Sequence, residues 1–64
     1  MSTRETYRNA LLQALTIVGN ERELATRLGV SVPQLENWLS GIEEIPDRIF
    51  LAIVDVVSLA SRRA

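Results

Sequence analysis

The chain has 64 residues, which is room for one domain, spanning residues 1–64, with one small core. It contains no cysteine and no histidine, which excludes a disulfide framework and the usual zinc sites. The formal net charge is −1, whereas dedicated nucleic-acid binders usually carry a basic surplus that neutralises phosphates. A local basic face can coexist with an acidic back, so this charge argues against DNA binding without excluding it.

Helix packing and self-association remain as the means of stabilising so short a chain. The hydrophobic content of 47% is sufficient for folding without a cofactor, and none is expected. The longest apolar run, residues 49–54, is far shorter than the ~20 apolar residues of a membrane span, so no membrane association is expected. The first residues lack the basic start and apolar run of a secretory signal, which predicts a cytoplasmic location.

The first helix is predicted from about Arg4 to Val18. Its apolar residues recur at intervals of three and four, the spacing of one buried helical stripe. Ser2 and Glu5 have the spacing of a capping box, and Gly19 is a typical left-handed helix stop. The predicted stripe consists of Tyr7, Ala10, Leu11, Ala14, Leu15 and Val18.

A short second helix is predicted over residues 21–28. Asn20 and Glu23 repeat the capping-box spacing at its start, and Gly29 ends it. The predicted inward face consists of Leu24, Ala25 and Leu28.

A third helix is predicted over residues 32–40. Ser31 and Gln34 form another capping-box pair, and Pro33 suits the first turn, where its missing N–H costs nothing. Gly41 follows the last helical residue. The predicted apolar members are Leu35, Trp38 and Leu39.

A fourth helix is predicted over residues 47–61, with Asp47 as its cap. The many valines and isoleucines also suit a strand, but a lone strand would have no partner inside the monomer. One apolar stripe can pack on the other helices, and a second stripe is surplus unless the small domain buries both. Exposed apolar surface usually marks a partner site, so a homodimer contact through this helix is expected. The residues expected there are Phe50, Leu51, Val54 and Val57.

The spacing across the second and third helices is typical of a helix-turn-helix. A small residue is needed where the helices pack, and Ala25 supplies it. The turn needs a residue that tolerates positive φ, Gly29, followed by an apolar plug, Val30. The next helix must bury two residues three apart, as Leu35 and Trp38 can. A generic helical hairpin is the alternative, but chance seldom meets all these demands in register.

The run Leu24-Ala25-Thr26-Arg27-Leu28-Gly29-Val30-Ser31, followed by Leu35, Trp38-Leu39-Ser40-Gly41 and Pro46, resembles the Cro/phage-repressor family of helix-turn-helix domains. The resemblance covers about residues 4–60. It implies an all-α fold, a compact four-helix bundle of the lambda-repressor type. It also implies a sequence-specific regulator of transcription that binds double-stranded DNA.

The resemblance assigns base reading to the third helix, which in that family lies in the major groove. Gln34 and Asn37 share one helix face, and both residue types can hold adenine bidentately, whereas Glu36 could accept a hydrogen bond from cytosine. The alternatives are that Gln34 only closes its capping box and that Asn37 is an ordinary solvated residue. The candidates for base contact are Ser31, Val32, Pro33, Gln34, Glu36 and Asn37.

Phosphate contacts are expected at the start of the second helix, where backbone N–H groups and the helix dipole attract anions. The carboxylates of Glu21, Glu43 and Glu44 depart from the family pattern and would repel phosphates. Either DNA binding by each monomer is therefore weak and requires a dimer, or the scaffold has another role. The candidates for phosphate contact are Asn20, Arg22, Arg27 and Arg48.

The alternative function is a protein-interaction module on the same scaffold, with an antitoxin-like or phage accessory role. It would bind its partner through the fourth helix or through the acidic loop around Glu43 and Glu44. An enzyme is not expected, because no paired-carboxylate cleft or glycine-rich phosphate loop is present and so short a chain seldom encloses a pocket.

Overall fold

The computed structural model describes residues 3–62. Within that range the chain forms four helices and no strand, which confirms the predicted all-α bundle and agrees closely with the predicted segments. Ser2, the predicted capping residue of the first helix, lies outside the described residues. The helices are α1 (Thr3–Val18), α2 (Glu21–Leu28), α3 (Val32–Ser40) and α4 (Asp47–Arg62).

The ends of α2 are set by local hydrogen bonds that the sequence predicts. Asn20 has extended backbone, and its Oδ1 accepts a hydrogen bond from the N–H of Glu23 at 2.8 Å. Gly29 has a φ of +72°, and the N–H of Val30 donates to the carbonyl of Ala25 at 3.0 Å. This 6→1 bond and the left-handed glycine form a Schellman motif, which turns Val30 back onto the core.

The ends of α3 follow the same scheme. The Ser31 hydroxyl accepts a hydrogen bond from the N–H of Gln34 at 3.2 Å, and Pro33 lies in the first turn. At the other end Gly41 has a φ of +86°, and the N–H of Ile42 donates to the carbonyl of Asn37 at 3.0 Å. This second Schellman motif folds the next loop back beside the last turn of α3.

The start of α4 differs from the prediction at Asp47, which is the first helical residue and not the residue before it. The carbonyl of Pro46 accepts hydrogen bonds from the N–H groups of Ile49 and Phe50, both at 3.0 Å. The carboxylate of Asp47 accepts a hydrogen bond from the hydroxyl of Tyr7 at 2.8 Å. In the first turn of α4 this carboxylate also faces the positive end of the helix dipole.

All four helices contribute to one apolar core. The most extensive contact is between α1 and α4, while α3 lies against α1 and α2. Each helix provides one of the largest completely buried side chains, and each such burial contributes about 1.5–3 kcal/mol relative to an exposed side chain. Trp38 is 5% exposed, and Ile45 anchors the loop between α3 and α4. The largest completely buried side chains are Leu11, Leu24, Leu35 and Ile53.

No helix in the described part of the chain combines the length and the apolar character required to cross a bilayer.

Candidate functional site

The exposed side of α3 carries most of the residues that the sequence suggests for base contact. Leu35 and Trp38 are buried in the core, so the opposite side of this helix faces outward. Ser31, Pro33 and Glu36 are exposed, and Gln34 and Asn37 are half-buried. Val32 is an exception among the candidates, because its side chain is half-buried and packs against the core.

Glu43 binds both amide side chains of α3. The Nε2 of Gln34 donates to its Oε2 at 3.2 Å, and the Nδ2 of Asn37 donates to its Oε1 at 2.9 Å. The side chain of Gln34 therefore contacts Glu43, while only its backbone N–H takes part in the cap at Ser31. Asn37 is likewise more than a solvated surface residue. One carboxylate joins the two side chains that are best suited to read a base.

The backbone places Glu43 in that position. The carbonyl of Asn37 accepts hydrogen bonds from the N–H groups of Ile42 at 3.0 Å and Glu43 at 3.3 Å. Because Gly41 adopts the left-handed conformation, the chain turns back beside Asn37 immediately after α3. Sequence analysis missed the contact of Glu43 with these two amides. Its signal was the glycine stop at Gly41, because a Schellman motif returns the chain beside the helix.

The residues proposed for phosphate contact differ in their availability. The Oδ1 of Asn20 is engaged by the cap at the start of α2. Arg27 pairs with Glu23 at 3.7 Å, and both side chains are more than half exposed, so this pair contributes little stability. Arg22 and Arg48 are exposed, and within the described part of the chain neither has an ion-pair partner. They are the more available arginines of this group.

A shallow groove of about 470 Å³ lies between the first half of α1 and the loop after α3. At this groove the Nε of Arg8 donates to the carbonyl of Leu39 at 3.0 Å, and Arg4 pairs with Glu44 at 3.7 Å. Charged side chains of both signs line the groove, so its charge indicates no particular class of ligand. Its lining residues are Arg4, Glu5, Tyr7, Arg8, Trp38, Gly41, Glu43, Glu44, Ile45 and Asp47.

Tyr7 and Asp47 form one polar contact at this groove. The hydrogen bond to the Asp47 carboxylate raises the pKa of the Tyr7 phenol, with smaller contributions from burial and from the negative charge of Asp47. The contact joins α1 to the start of α4 and is a structural feature of the groove. Among the described residues no group of three or more potential ligands could hold a metal ion.

The predicted partner surface on α4 divides into two parts. Phe50 and Val57 are half-buried and pack against the core. Leu51 is 65% exposed and Val54 is 38% exposed. Leu59 on the same helix is 59% exposed. Two of the four residues predicted for the partner surface therefore pack against the domain's own core, whereas Leu51 and Val54 remain exposed to solvent.

Comparison with protein-family models, with curated proteins and with solved structures found no match for this chain.

Proposed function

We propose that this chain is a sequence-specific DNA-binding regulator of transcription in which α2 and α3 form a helix-turn-helix. The proposal is supported by the three-residue connection between these helices, residues 29–31, with its left-handed Gly29. Val30 in that connection packs onto the core, as the motif requires. In this proposal α3 enters the major groove and α2 contacts the adjacent phosphates.

The observation that carries the proposal is the two-sided character of α3. Its inner side is buried through Leu35 and Trp38, and its outer side presents the amides of Gln34 and Asn37. Amide side chains of this kind recognise base edges by hydrogen bonds. In the described part of the chain, both side-chain amides that donate to Glu43 belong to α3.

A homodimer completes the proposal. The nine residues of α3 can contact only a few base pairs, and the net charge of −1 provides little general attraction to phosphates. Two copies related by twofold symmetry would read two half-sites and double the number of contacts. The exposed Leu51 and Val54 of α4 are the proposed contact between the copies.

A titration with random-sequence duplexes and genomic fragments at low salt tests this function. We expect the wild-type chain to bind, with an affinity that falls steeply as salt rises. The double variant Gln34→Ala/Asn37→Ala should lose at least about tenfold in affinity for the preferred fragment, because it removes both proposed base contacts and the loss of a specific base contact costs ~1–3 kcal/mol.

A matched control is the double variant Asn9→Ala/Gln13→Ala, which removes the same residue types from an exposed part of α1. It should bind as the wild type does. Circular dichroism of all three chains checks that the helices are retained. Absence of binding by the wild-type chain at concentrations where it is a dimer would overturn the proposed function.

A second candidate is a protein-interaction module with an antitoxin-like or phage accessory role. Ile42 supports it, because this residue is 75% exposed and is followed by the two exposed carboxylates of Glu43 and Glu44. An apolar side chain beside acidic ones suits a basic protein surface better than a phosphate backbone. The module becomes the preferred function if the titration shows no DNA binding.

A further inference from the structure

We infer that Glu43 determines which bases α3 can read, by turning the amide NH2 groups of Gln34 and Asn37 toward itself, so that their carbonyl oxygens are the groups presented to a base. Such a face selects bases that present an exocyclic amino group, cytosine above adenine. The inference rests on the proposed function and names the specificity of the same site.

The orientation of the two amides follows from the chemistry of the carboxylate. An ionised carboxylate only accepts hydrogen bonds, so each amide must direct its NH2 group, and not its oxygen, toward Glu43. Both carboxylate oxygens are used, Oε1 by Asn37 and Oε2 by Gln34. Each NH2 group gives Glu43 one of its two hydrogens, and in the described part of the chain no side chain donates to either amide oxygen, so these oxygens are acceptors without an internal partner.

The acceptor character of the face is strengthened by the charge of Glu43, which lies within hydrogen-bond distance of both amide nitrogens. In the major groove guanine presents N7 and O6 and thymine presents O4, all of which are acceptors. They would meet carboxylate and carbonyl oxygens and be repelled. Cytosine presents only its N4 amino group, and adenine presents an amino group beside the N7 acceptor.

The arrangement is held in place before any ligand arrives. The backbone of the loop is anchored on the carbonyl of Asn37 through Ile42 and Glu43, and the buried Ile45 fixes the loop further along. An amide whose orientation is fixed in the free protein pays less ordering entropy on binding and is less free to rotate toward a wrong base. Glu43 is therefore a positioning residue, which acts on the bases through Gln34 and Asn37.

The test is selection from a library of randomised duplexes by three chains: the wild type, Glu43→Gln and Glu44→Gln. Both variants remove one negative charge from the same loop, but Glu44 pairs with Arg4 and does not contact the amides. We expect both variants to bind random duplexes more tightly than the wild type, by similar factors. Only Glu43→Gln should lose the preference for cytosine and adenine, by about tenfold at the position that α3 contacts, because glutamine offers a donor as well as an acceptor.

A second measurement needs no DNA. The side-chain NH2 resonances of Gln34 and Asn37 should shift in Glu43→Gln and stay unchanged in Glu44→Gln. Unchanged resonances in Glu43→Gln, or an unchanged base preference in a variant that binds, would overturn the inference while leaving DNA binding intact. Shifted resonances without DNA binding by any of the three chains would instead overturn the proposed function, and this specificity with it.

Discussion

The aromatic rings of Tyr7 and Phe50 lie stacked, with their centroids 4.0 Å apart and their planes at 6°. The hydroxyl of the same tyrosine donates to Asp47 at 2.8 Å. One side chain of α1 therefore holds the first turn of α4 by both an apolar and a polar contact. Tyr7 and Asp47 are 40 residues apart, so this contact joins two segments that are distant along the chain.

Replacing Tyr7 by phenylalanine separates these two contacts. The variant Tyr7→Phe keeps a ring for stacking and loses the hydrogen bond, so we expect a modest fall in the free energy of unfolding at neutral pH. Because Asp47 raises the pKa of Tyr7, the folded state favours the protonated phenol. The stabilisation is fully present below the pKa of an unfolded tyrosine, about 10, and is lost as the pH rises through the higher pKa of the folded state.

The composition makes this pH dependence easy to measure. The chain contains no lysine, cysteine or histidine, so Tyr7 is its only side chain that titrates between pH 8 and the strongly alkaline range of arginine. Urea unfolding followed by the fluorescence of Trp38 should show a wild type that weakens on going to alkaline pH. Tyr7→Phe should change little over the same range. Equal losses in the two chains would show that the hydrogen bond does not stabilise the fold.

Gly29 should be required for its backbone conformation and not for space. Its φ is +72°, and a Cβ built there would meet nothing within 4 Å. We expect Gly29→Ala to lower the free energy of unfolding by about 1–2 kcal/mol, the cost of the left-handed conformation for a residue with a Cβ. Gly29→Asn should cost less, because asparagine tolerates this conformation better. Urea unfolding measures both, and an alanine variant as stable as the wild type would contradict the argument.

The exposed arginines are expected to contribute unequally to phosphate binding. Arg22 and Arg48 are without an ion-pair partner in the described part of the chain, whereas Arg27 pairs with Glu23. Each of Arg22→Ala and Arg48→Ala should reduce the slope of log affinity against log salt by about 0.9, as expected for one lost phosphate contact. Arg27→Ala serves as the matched comparison and should change the slope less. Identical slopes in all three variants would exclude this ranking.

Leu51 is the best position at which to break the proposed homodimer. It is 65% exposed, so a charge placed there need not disturb the core, in contrast to Phe50 and Val57. We expect sedimentation to show a dimer for the wild type and a monomer for Leu51→Glu, with similar melting temperatures. Leu12→Glu, at a residue of α1 that is 40% exposed, is the control and should remain dimeric. A monomeric wild type at high concentration would remove the dimer from the proposed function.

The helices, and the ends of α2 and α3, were determined by the sequence alone. Asn20 and Ser31 cap the N–H group three residues ahead, and Gly29 and Gly41 adopt the left-handed conformation that ends a helix. These are interactions among neighbours along the chain, which is why spacing predicts them. The periodicity of apolar residues likewise predicted Leu35 as part of the buried side of α3.

Only the tertiary structure decided which polar groups meet and how wide the core is. The carboxylate of Asp47 binds Tyr7 and is not a helix cap, because packing of α1 against α4 brings the phenol within reach. The same packing covers Phe50 and Val57 and leaves Leu51 exposed. Periodicity shows which side chains share a helix face, but the width of the covered face depends on the positions of neighbouring helices, which no local pattern specifies.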